Sequence, residues 1–159
     1  MKKVLAVLAA MAVAVLALAG CGGTDDKKAA TETKVLKVGA TAVPHAEILE
    51  QIKDDLKAEG IDLQVVEFND YVQPNLALND KELDANYFQH APYLENFIKE
   101  HPEVKLANAA GIHIEPMGIY SHKVKSLNEV KDGATVAIPN DPTNGGRALI
   151  LLSKAGLIT

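Results

Sequence analysis

Three short stretches of the sequence carry side chains suited to holding a small ligand. Tyr71 stands in the first, Phe88, His90 and Tyr93 stand in the second, and Arg147 stands in the third. Aromatic residues make up only 4% of the chain, so their grouping in two neighbouring stretches indicates an apolar pocket wall. Arg147 is the only arginine, and a guanidinium pairs with a carboxylate through two parallel hydrogen bonds. Together these residue types predict a site with an apolar wall and one fixed cation.

Strands that alternate with helices are predicted to position these stretches, because short β-type runs are separated by helical periodicity throughout. The predicted strands are 35–41, 61–68, 83–88 and 134–138, and the predicted helices are 44–59, 74–79, 92–101 and 142–156. Segments 104–109 and 112–121 are expected to be extended, with a helical turn at 126–130. This alternation predicts an α/β fold with parallel pairing. Each candidate stretch follows a predicted strand, where ligands bind in open α/β sheets.

Less specific interpretations of these residues remain open at this point. Phe88 and Tyr93 are equally compatible with a strand–helix junction in the hydrophobic core. Arg147 is compatible with a surface ion pair. Because it stands in the early turns of the helix predicted to begin at Pro142, the free N–H groups of that helix are expected to assist Arg147 in binding a carboxylate.

The first 21 residues have the features of an export signal. Lys2 and Lys3 precede an uncharged apolar run at 4–19, and the run ends in Leu18-Ala19-Gly20-Cys21. This ending resembles the lipobox of bacterial lipoproteins, in which the cysteine is acylated and the chain is cut before it. We therefore expect a signal peptide at 1–20, a lipid on Cys21 and a flexible polar tether at 21–34. A membrane-spanning helix is the alternative, but the run is shorter than the roughly 20 apolar residues needed.

Composition narrows the remaining classes of function. Cys21 is the only cysteine, so no disulfide forms within the chain and an apolar core must stabilise it. The net charge is −5, and it becomes more negative if Lys2 and Lys3 are removed with the leader. An acidic surface argues against a nucleic-acid partner. No serine or cysteine stands in an activating motif, so neither an enzyme nor a cofactor is expected.

Several long motifs resemble the methionine-binding lipoproteins of the NlpA family. They are Phe68-Asn69-Asp70-Tyr71, the run from Leu83 to His90 with Pro92-Tyr93-Leu94, Gly118-Ile119-Tyr120-Ser121, the run from Val136 to Asn144, and Gly146-Arg147. The likeness extends from the lipobox to Thr159. It implies a periplasmic-binding-protein type II-like fold, in which two α/β lobes close on the ligand. It also implies capture of methionine for the permease and ATPase subunits of an ABC importer, on the extracytoplasmic face of the cell membrane.

The resemblance also implies roles for particular residues and a division into lobes. Tyr71, Phe88, His90 and Tyr93 match the first-lobe pocket around the thioether and the amino-acid head group, and Arg147 matches the residue that pairs with the ligand carboxylate. We expect the first lobe at 35–121, and the hinge and beginning of the second lobe at 122–159. The predicted strand and helix at 134–156 cannot build a sheet alone and resemble the opening of a second lobe, so a truncated chain is expected. The family's later asparagines near the ligand have no counterpart here. A complete small domain is the alternative.

Two other ligand classes remain as alternatives. Within the family, the ligand is equally compatible with D-methionine or a methionine-containing dipeptide. Outside it, convergence of His45, His90, His113 and His122 would indicate a metal-capturing protein, but their spacings match no compact metal motif, and no metal site is expected.

Overall fold

A three-stranded parallel sheet forms the frame of the structure. The structure is a computed structural model that describes residues 33–159. Its strands are β1 (Lys34–Thr41), β2 (Ile61–Phe68) and β3 (Ala85–Tyr87), in the order β2-β1-β3. β1 is central and pairs in parallel with both neighbours. The parallel pairing confirms the α/β class predicted from the alternation of strands and helices.

Helices connect the strands and continue beyond them. They comprise a π-helical turn at Ala42–Ala46, α1 (Glu47–Gln51), α2 (Lys53–Ala58), α3 (Gln73–Asn79), α4 (Ala91–Glu100), a 3₁₀ turn at Leu127–Glu129, and α5 (Pro142–Lys154). Two helices end at glycines in the left-handed region, Gly60 (φ 82°) and Gly156 (φ 72°). At Gly156 the N–H donates to Ser153 O at 2.9 Å, and the Leu157 N–H donates to Leu152 O at 3.0 Å. This pair of bonds satisfies carbonyl groups at the end of α5, as a Schellman motif does.

The hydrophobic core is built on β1 and its two flanks. Val38 and Ala40 in the middle of β1 are buried, as is Leu63 on β2, and they pack with Ala46 and Leu49. A second cluster joins Phe88, Tyr93, Phe97 and Val104. Buried residues follow one another without a break in the middle of β1, which is typical of a parallel strand covered on both faces.

The register places the carboxyl ends of all three strands at one edge of the sheet. Thr41 at the end of β1 lies opposite Phe68 at the end of β2, and Ala40 lies opposite Tyr87 at the end of β3. The chain leaves this edge through the segments that hold His45, Tyr71 and Phe88. Residues far apart in sequence are therefore brought to a common edge, as the parallel topology predicts.

Two predicted elements differ from the structure. Residues 134–138 form no strand, because no segment among residues 33–159 pairs with them and backbone hydrogen bonds are what define a strand. The predicted helix 44–59 is interrupted at Ile52 (φ −96°, ψ 1°), which separates α1 from α2. Ile48 and Ile52 are also more exposed than the predicted buried face requires, at 37% and 40%.

The amino-terminal predictions fall outside the described residues. The signal peptide at 1–20, the lipid on Cys21 and the tether before Thr33 all belong to that part of the chain. Within residues 33–159, no helix is both long and apolar enough to cross a membrane. The lobe boundary between 121 and 122 stays a prediction.

Candidate functional site

Tyr71, Phe88 and Tyr93 form one aromatic cluster. The Tyr71 ring centroid lies 5.5 Å from that of Phe88 and 5.7 Å from that of Tyr93, and both pairs are edge-to-face. Phe88 and Tyr93 lie 6.2 Å apart. Both are buried, so they belong to the core, whereas Tyr71 is 42% exposed and faces solvent. The cluster therefore joins two anchored rings to one accessible ring.

The hydroxyl of Tyr93 fixes the backbone next to the exposed ring. It donates a hydrogen bond to Tyr71 O at 3.0 Å. Burial and, after it, the negative charges of Asp141 and Asp70 raise the pKa of Tyr93 to about 12. Burial and then the carboxylates of Glu115 and Asp141 likewise raise the pKa of Tyr71. Both phenols therefore remain neutral donors near pH 7, and nearby carboxylates further disfavour their ionised forms.

An amide network holds the segment between Phe88 and His90. Asn75, fully buried at the start of α3, exchanges hydrogen bonds with Gln89: its Nδ2 donates to Gln89 Oε1 at 3.0 Å, and Gln89 Nε2 donates to Asn75 Oδ1 at 2.7 Å. Asn86 Nδ2 adds a bond to Asn75 Oδ1 at 3.0 Å. A buried amide left unpaired is costly, so this network stabilises the conformation of the segment in which Phe88 and His90 flank Gln89.

His90 has a nitrogen that the protein does not satisfy. In the part of the chain that the structure describes, its Nε2 atom is buried and has no hydrogen-bond partner. Burial and then the positive charge of Arg147 lower the pKa of His90, although Asp141 opposes this shift. A neutral imidazole with one unused nitrogen is ready to exchange a hydrogen bond with a ligand.

Arg147 is half-buried and held by two carbonyl oxygens. Its Nη1 donates to the side-chain oxygen of Asn144 at 3.1 Å, and its Nη2 donates to the backbone oxygen of Glu115 at 3.0 Å. Neither acceptor is a carboxylate, so the open interpretation of a surface ion pair does not describe Arg147 among the described residues. The guanidinium has further N–H donors for an anion.

The first backbone N–H groups of α5 are hydrogen-bonded within the protein, whereas the sequence led us to expect them to be free. Asp141 caps the helix: Oδ1 accepts hydrogen bonds from Thr143 N at 3.1 Å and Asn144 N at 2.8 Å. Although burial alone would raise the pKa of Asp141, hydrogen bonds from Asn144 and Thr143 hold it below its ordinary value. The expectation that these N–H groups assist in anion binding is therefore wrong, because the protein's own carboxylate occupies them. Arg147 is left as the cation.

Asp141, Asn144, Glu115 and Asn75 were not among the predicted site residues. A local sequence pattern identifies Asp141 and Asn144, because Asp followed by Pro is typical of a helix start and Asn144 stands in the first turn of that helix. No local pattern identifies Glu115 and Asn75, because they act through contacts with residues distant in sequence.

The histidines considered for metal binding do not converge as a set. Among the described residues, His45 and His113 come together with Glu115, whereas His90 and His122 are not part of that group. His90 lies instead in the electrostatic environment of Arg147.

A large cavity lies away from the aromatic cluster. It has a volume of about 1080 Å³ and lies between segment 117–139 and the Ala148, Leu151 and Leu152 side of α5. None of the five predicted ligand residues lines it. Its charged lining side chains are Lys123, Lys125, Lys131 and Glu129. Because the aromatic cluster, His90 and Arg147 offer both apolar and polar groups, they are the better candidate site.

Comparison with known proteins agrees with the motifs. The family model described as NlpA lipoprotein matches residues 36–159. The methionine-binding lipoprotein MetQ of Bacillus subtilis is 48% identical over 142 residues, which are 89% of this chain and 51% of that protein. The D-methionine-binding lipoprotein MetQ of Salmonella typhi is 46% identical, over 90% of this chain and 51% of that protein. The chain spans about half the length of the curated relatives it matches.

A solved structure gives the same answer for the fold. A nutrient-binding protein from Burkholderia cenocepacia, bound to methionine, is 46% identical and superposes with a TM-score of 0.72. The match covers 78% of this chain and 52% of that one. The matched family, the identity to named lipoproteins and the shared fold lead to one conclusion: this chain belongs to the NlpA lipoprotein family.

Proposed function

We propose that this chain belongs to an extracytoplasmic solute-binding lipoprotein that captures methionine and delivers it to the permease and ATPase subunits of an ABC importer. Membership of the NlpA family and relatives named for methionine binding support this proposal. The relatives are named as binding lipoproteins and not as enzymes. The observation that carries the proposal is the aromatic cluster of Tyr71, Phe88 and Tyr93 close to His90 and Arg147.

The aromatic cluster fits the side chain of methionine. A thioether is apolar and polarisable, and each sulfur–aromatic contact contributes about 0.3–1.5 kcal/mol. Tyr71 presents its ring to solvent, while Phe88 and Tyr93 behind it are held rigidly in the core. Binding the side chain therefore requires little ordering of the protein, which favours affinity.

The polar groups around the cluster fit a zwitterionic head group. Arg147 supplies a fork of donors for the α-carboxylate. The ammonium group is favoured near the tyrosine hydroxyls, because the carboxylates of Glu115 and Asp141 lie close enough to add, after burial, to the raised pKa of Tyr71. His90 Nε2 is available for one further hydrogen bond to the ligand.

The stereochemistry of the ligand is a second question within this proposal. One relative is named for methionine and another for D-methionine, at nearly equal identity to this chain. The two enantiomers exchange the positions of the ammonium group and the hydrogen on Cα. Contacts to the ammonium group therefore decide between them.

The proposed lipid on Cys21 would hold the domain at the extracytoplasmic face of the membrane. Two or more acyl chains attach a protein stably, whereas one chain binds only marginally. Confinement to the membrane surface raises the effective concentration of the binding protein near its importer.

Calorimetric titration of the full chain with L-methionine and D-methionine tests the carboxylate contact. We expect Arg147→Ala to weaken binding at least about tenfold, because a charge-assisted hydrogen bond contributes about 1.5–3 kcal/mol. Lys154→Ala is the matched control, since Lys154 is a cation in the last turn of the same helix. Equal affinities of the two variants would remove Arg147 from the site.

A second pair of variants tests the apolar wall. Tyr71→Ala should weaken methionine binding several-fold, in proportion to the loss of one sulfur–aromatic contact of about 1 kcal/mol. Tyr120→Ala removes a tyrosine that is 89% exposed and lies outside the cluster, so it should bind like the unaltered chain. Titration with norleucine, which replaces sulfur by a methylene, separates the sulfur contact from simple burial. A Tyr71→Ala variant with undiminished affinity would contradict the proposed wall.

A further inference from the structure

His45, His113 and Glu115 bring three metal-ligating side chains to one point beside the sheet edge. One ligand atom from each lies within 4.8 Å of the others. His113 Nε2 lies 2.9 Å from Glu115 Oε1, and His45 Nε2 lies 3.4 Å from the same oxygen. Two imidazole nitrogens therefore face one carboxylate oxygen.

A hydroxyl group contacts the far nitrogen of each imidazole. Thr41 Oγ1 lies 2.7 Å from His45 Nδ1, and the Tyr87 hydroxyl contacts His113 Nδ1. A hydroxyl both donates and accepts, so each ring is able to carry its proton on Nδ1 and leave the Nε2 lone pair directed at the carboxylate. Outer hydrogen bonds of this kind fix the tautomer and ring orientation of metal-binding histidines.

We propose that His45, His113 and Glu115 form a binding site for a divalent transition-metal ion, with Zn²⁺ as the best-fitting ion. Two imidazoles and one carboxylate, with a solvent position left open, are a common Zn²⁺ ligand set. Ligand atoms in a tetrahedral zinc site lie about 3.3 Å apart. The two distances to Glu115 Oε1, 2.9 and 3.4 Å, lie on either side of that value. Ca²⁺ and Mg²⁺ fit less well, because they prefer oxygen ligands.

The surroundings suit a site that an ion enters from solvent. The His45 side chain is 6% exposed and is packed edge-on against Tyr87, with ring centroids 4.8 Å apart. Glu115 is 46% exposed and leaves the outer side open.

The ion would join parts of the chain that are distant in sequence. His45 follows β1, whereas His113 and Glu115 stand in the irregular segment after α4. The Glu115 backbone oxygen also accepts the hydrogen bond from Arg147. A bound ion would therefore secure this segment against the sheet edge, and this holds whether or not the chain binds methionine.

Titration of the full chain, without a polyhistidine tag and after treatment with a chelator, tests the site. We expect one Zn²⁺ per chain by calorimetry, and a tetrahedral ligand-field absorption with Co²⁺ as a spectroscopic substitute. His113→Gln and Glu115→Gln should each reduce affinity by more than tenfold. Tyr87→Phe, which keeps all three ligands, should reduce it by about tenfold.

His101→Gln is the matched control. His101 Nδ1 lies 3.4 Å from Glu103 Oε1, so it forms a histidine–glutamate pair, but it is not part of the three-residue group. Failure of the unaltered chain to bind Zn²⁺ would overturn the proposal. Equal losses of Zn²⁺ affinity in His113→Gln and His101→Gln would also overturn it, because they would indicate nonspecific binding at the surface. Circular dichroism of each metal-free variant establishes that it is folded. If Glu115→Gln unfolds, His113→Gln alone provides the test, because His113 is exposed.

Discussion

Arg147 Nη2 donates a hydrogen bond to the backbone oxygen of Glu115 at 3.0 Å, although the two residues are 32 positions apart. The bond attaches α5 to the irregular segment that precedes it. The Glu115 side chain contacts His45 and His113. One residue thus contacts both the cation of the candidate ligand site and the proposed metal ligands, so the two sites share a structural support.

Removal of the cap on α5 should destabilise the fold. Asp141→Ala leaves the Thr143 and Asn144 N–H groups without their acceptor, and we expect a loss of about 1–2 kcal/mol in the free energy of unfolding. Chemical denaturation measures this loss. Ser126→Ala removes a similar but longer bond, 3.3 Å to Asn128 N, from an exposed turn and should cost less than about 0.5 kcal/mol. Equal effects of the two substitutions would show that the cap on α5 contributes nothing particular.

The same aspartate should contribute to acid sensitivity. The pKa of Asp141 in the folded chain lies below its ordinary value of 3.8, so its ionised form stabilises the fold above that pH. This contribution is lost as the pH falls below 3.8 through the folded pKa. Asp141→Asn keeps a good cap without the charge, so its stability should depend less on pH in that range. If the free energy of unfolding changed with pH in the same way below pH 4 in the unaltered chain and in Asp141→Asn, Asp141 would not be the source of the acid sensitivity.

Gly39 in β1 should not tolerate a side chain, whereas Gly146 in α5 should. A Cβ atom on Gly39 would lie 2.7 Å from Leu83 Cδ1 and 3.0 Å from Phe68 Cε2, and we expect Gly39→Ala to cost about 1–3 kcal/mol. A Cβ atom on Gly146 meets nothing within 4 Å, and alanine is the better helix former, so Gly146→Ala should stabilise by about 0.5–1 kcal/mol. Thermal unfolding of both variants shows whether each substitution raises or lowers the melting temperature. If Gly39→Ala melted at or above the temperature of the unaltered chain, the predicted clash with Leu83 and Phe68 would be refuted.

Tyr93 should be the last tyrosine of the cluster to ionise. Burial, reinforced by Asp141, raises its pKa to about 12, so its phenolate absorption should appear only near that pH. Because the folded pKa exceeds the ordinary value of 10.0, the associated stability is complete below pH 10 and falls as the pH rises towards 12. Spectrophotometric titration of the unaltered chain and of Tyr93→Phe measures this step. Its persistence in Tyr93→Phe would assign it to another tyrosine.

Leu63 should be the most sensitive position of the core cluster on β2. It is 2% exposed and packs with Val38 and Ala40, so Leu63→Ala should cost about 2–5 kcal/mol through lost burial and the cavity left behind. Ile114→Ala, at a position that is 91% exposed, should change the free energy of unfolding by no more than about 0.5 kcal/mol. Denaturant unfolding compares the two, and a small effect at Leu63 would mean that the core relaxes around the deletion.

Elements with local signals were predicted closely. Segment 74–79 is observed as Gln73–Asn79, 92–101 as Ala91–Glu100 and 142–156 as Pro142–Lys154. In each case a proline stands at the start of the helix, and the last is ended by Gly156. The predicted strand 134–138 failed because a strand exists only through its partner, which no local pattern supplies.

The candidate site was predictable in part. Alternating strands and helices imply a parallel sheet, and a parallel sheet brings Tyr71, Phe88 and Tyr93 to one edge, as observed. The family resemblance seen in the motifs is confirmed by the matched family and by the relatives. The ligand roles of Tyr71, Phe88, His90, Tyr93 and Arg147 stay predictions.

The amino-acid sequence alone determined the fold class, the family and which rare side chains stand after strands, because periodicity, helix caps and ordered motifs are local properties. The tertiary structure decided which groups are already occupied and which are not. Asn75 pairs with Gln89, Arg147 donates to the Glu115 backbone oxygen, and His90 Nε2 is left without a partner among the described residues. It also decided that His45, His113 and Glu115 meet. Such contacts join residues far apart in the chain, and only the packing of the sheet edge brings them within hydrogen-bonding distance.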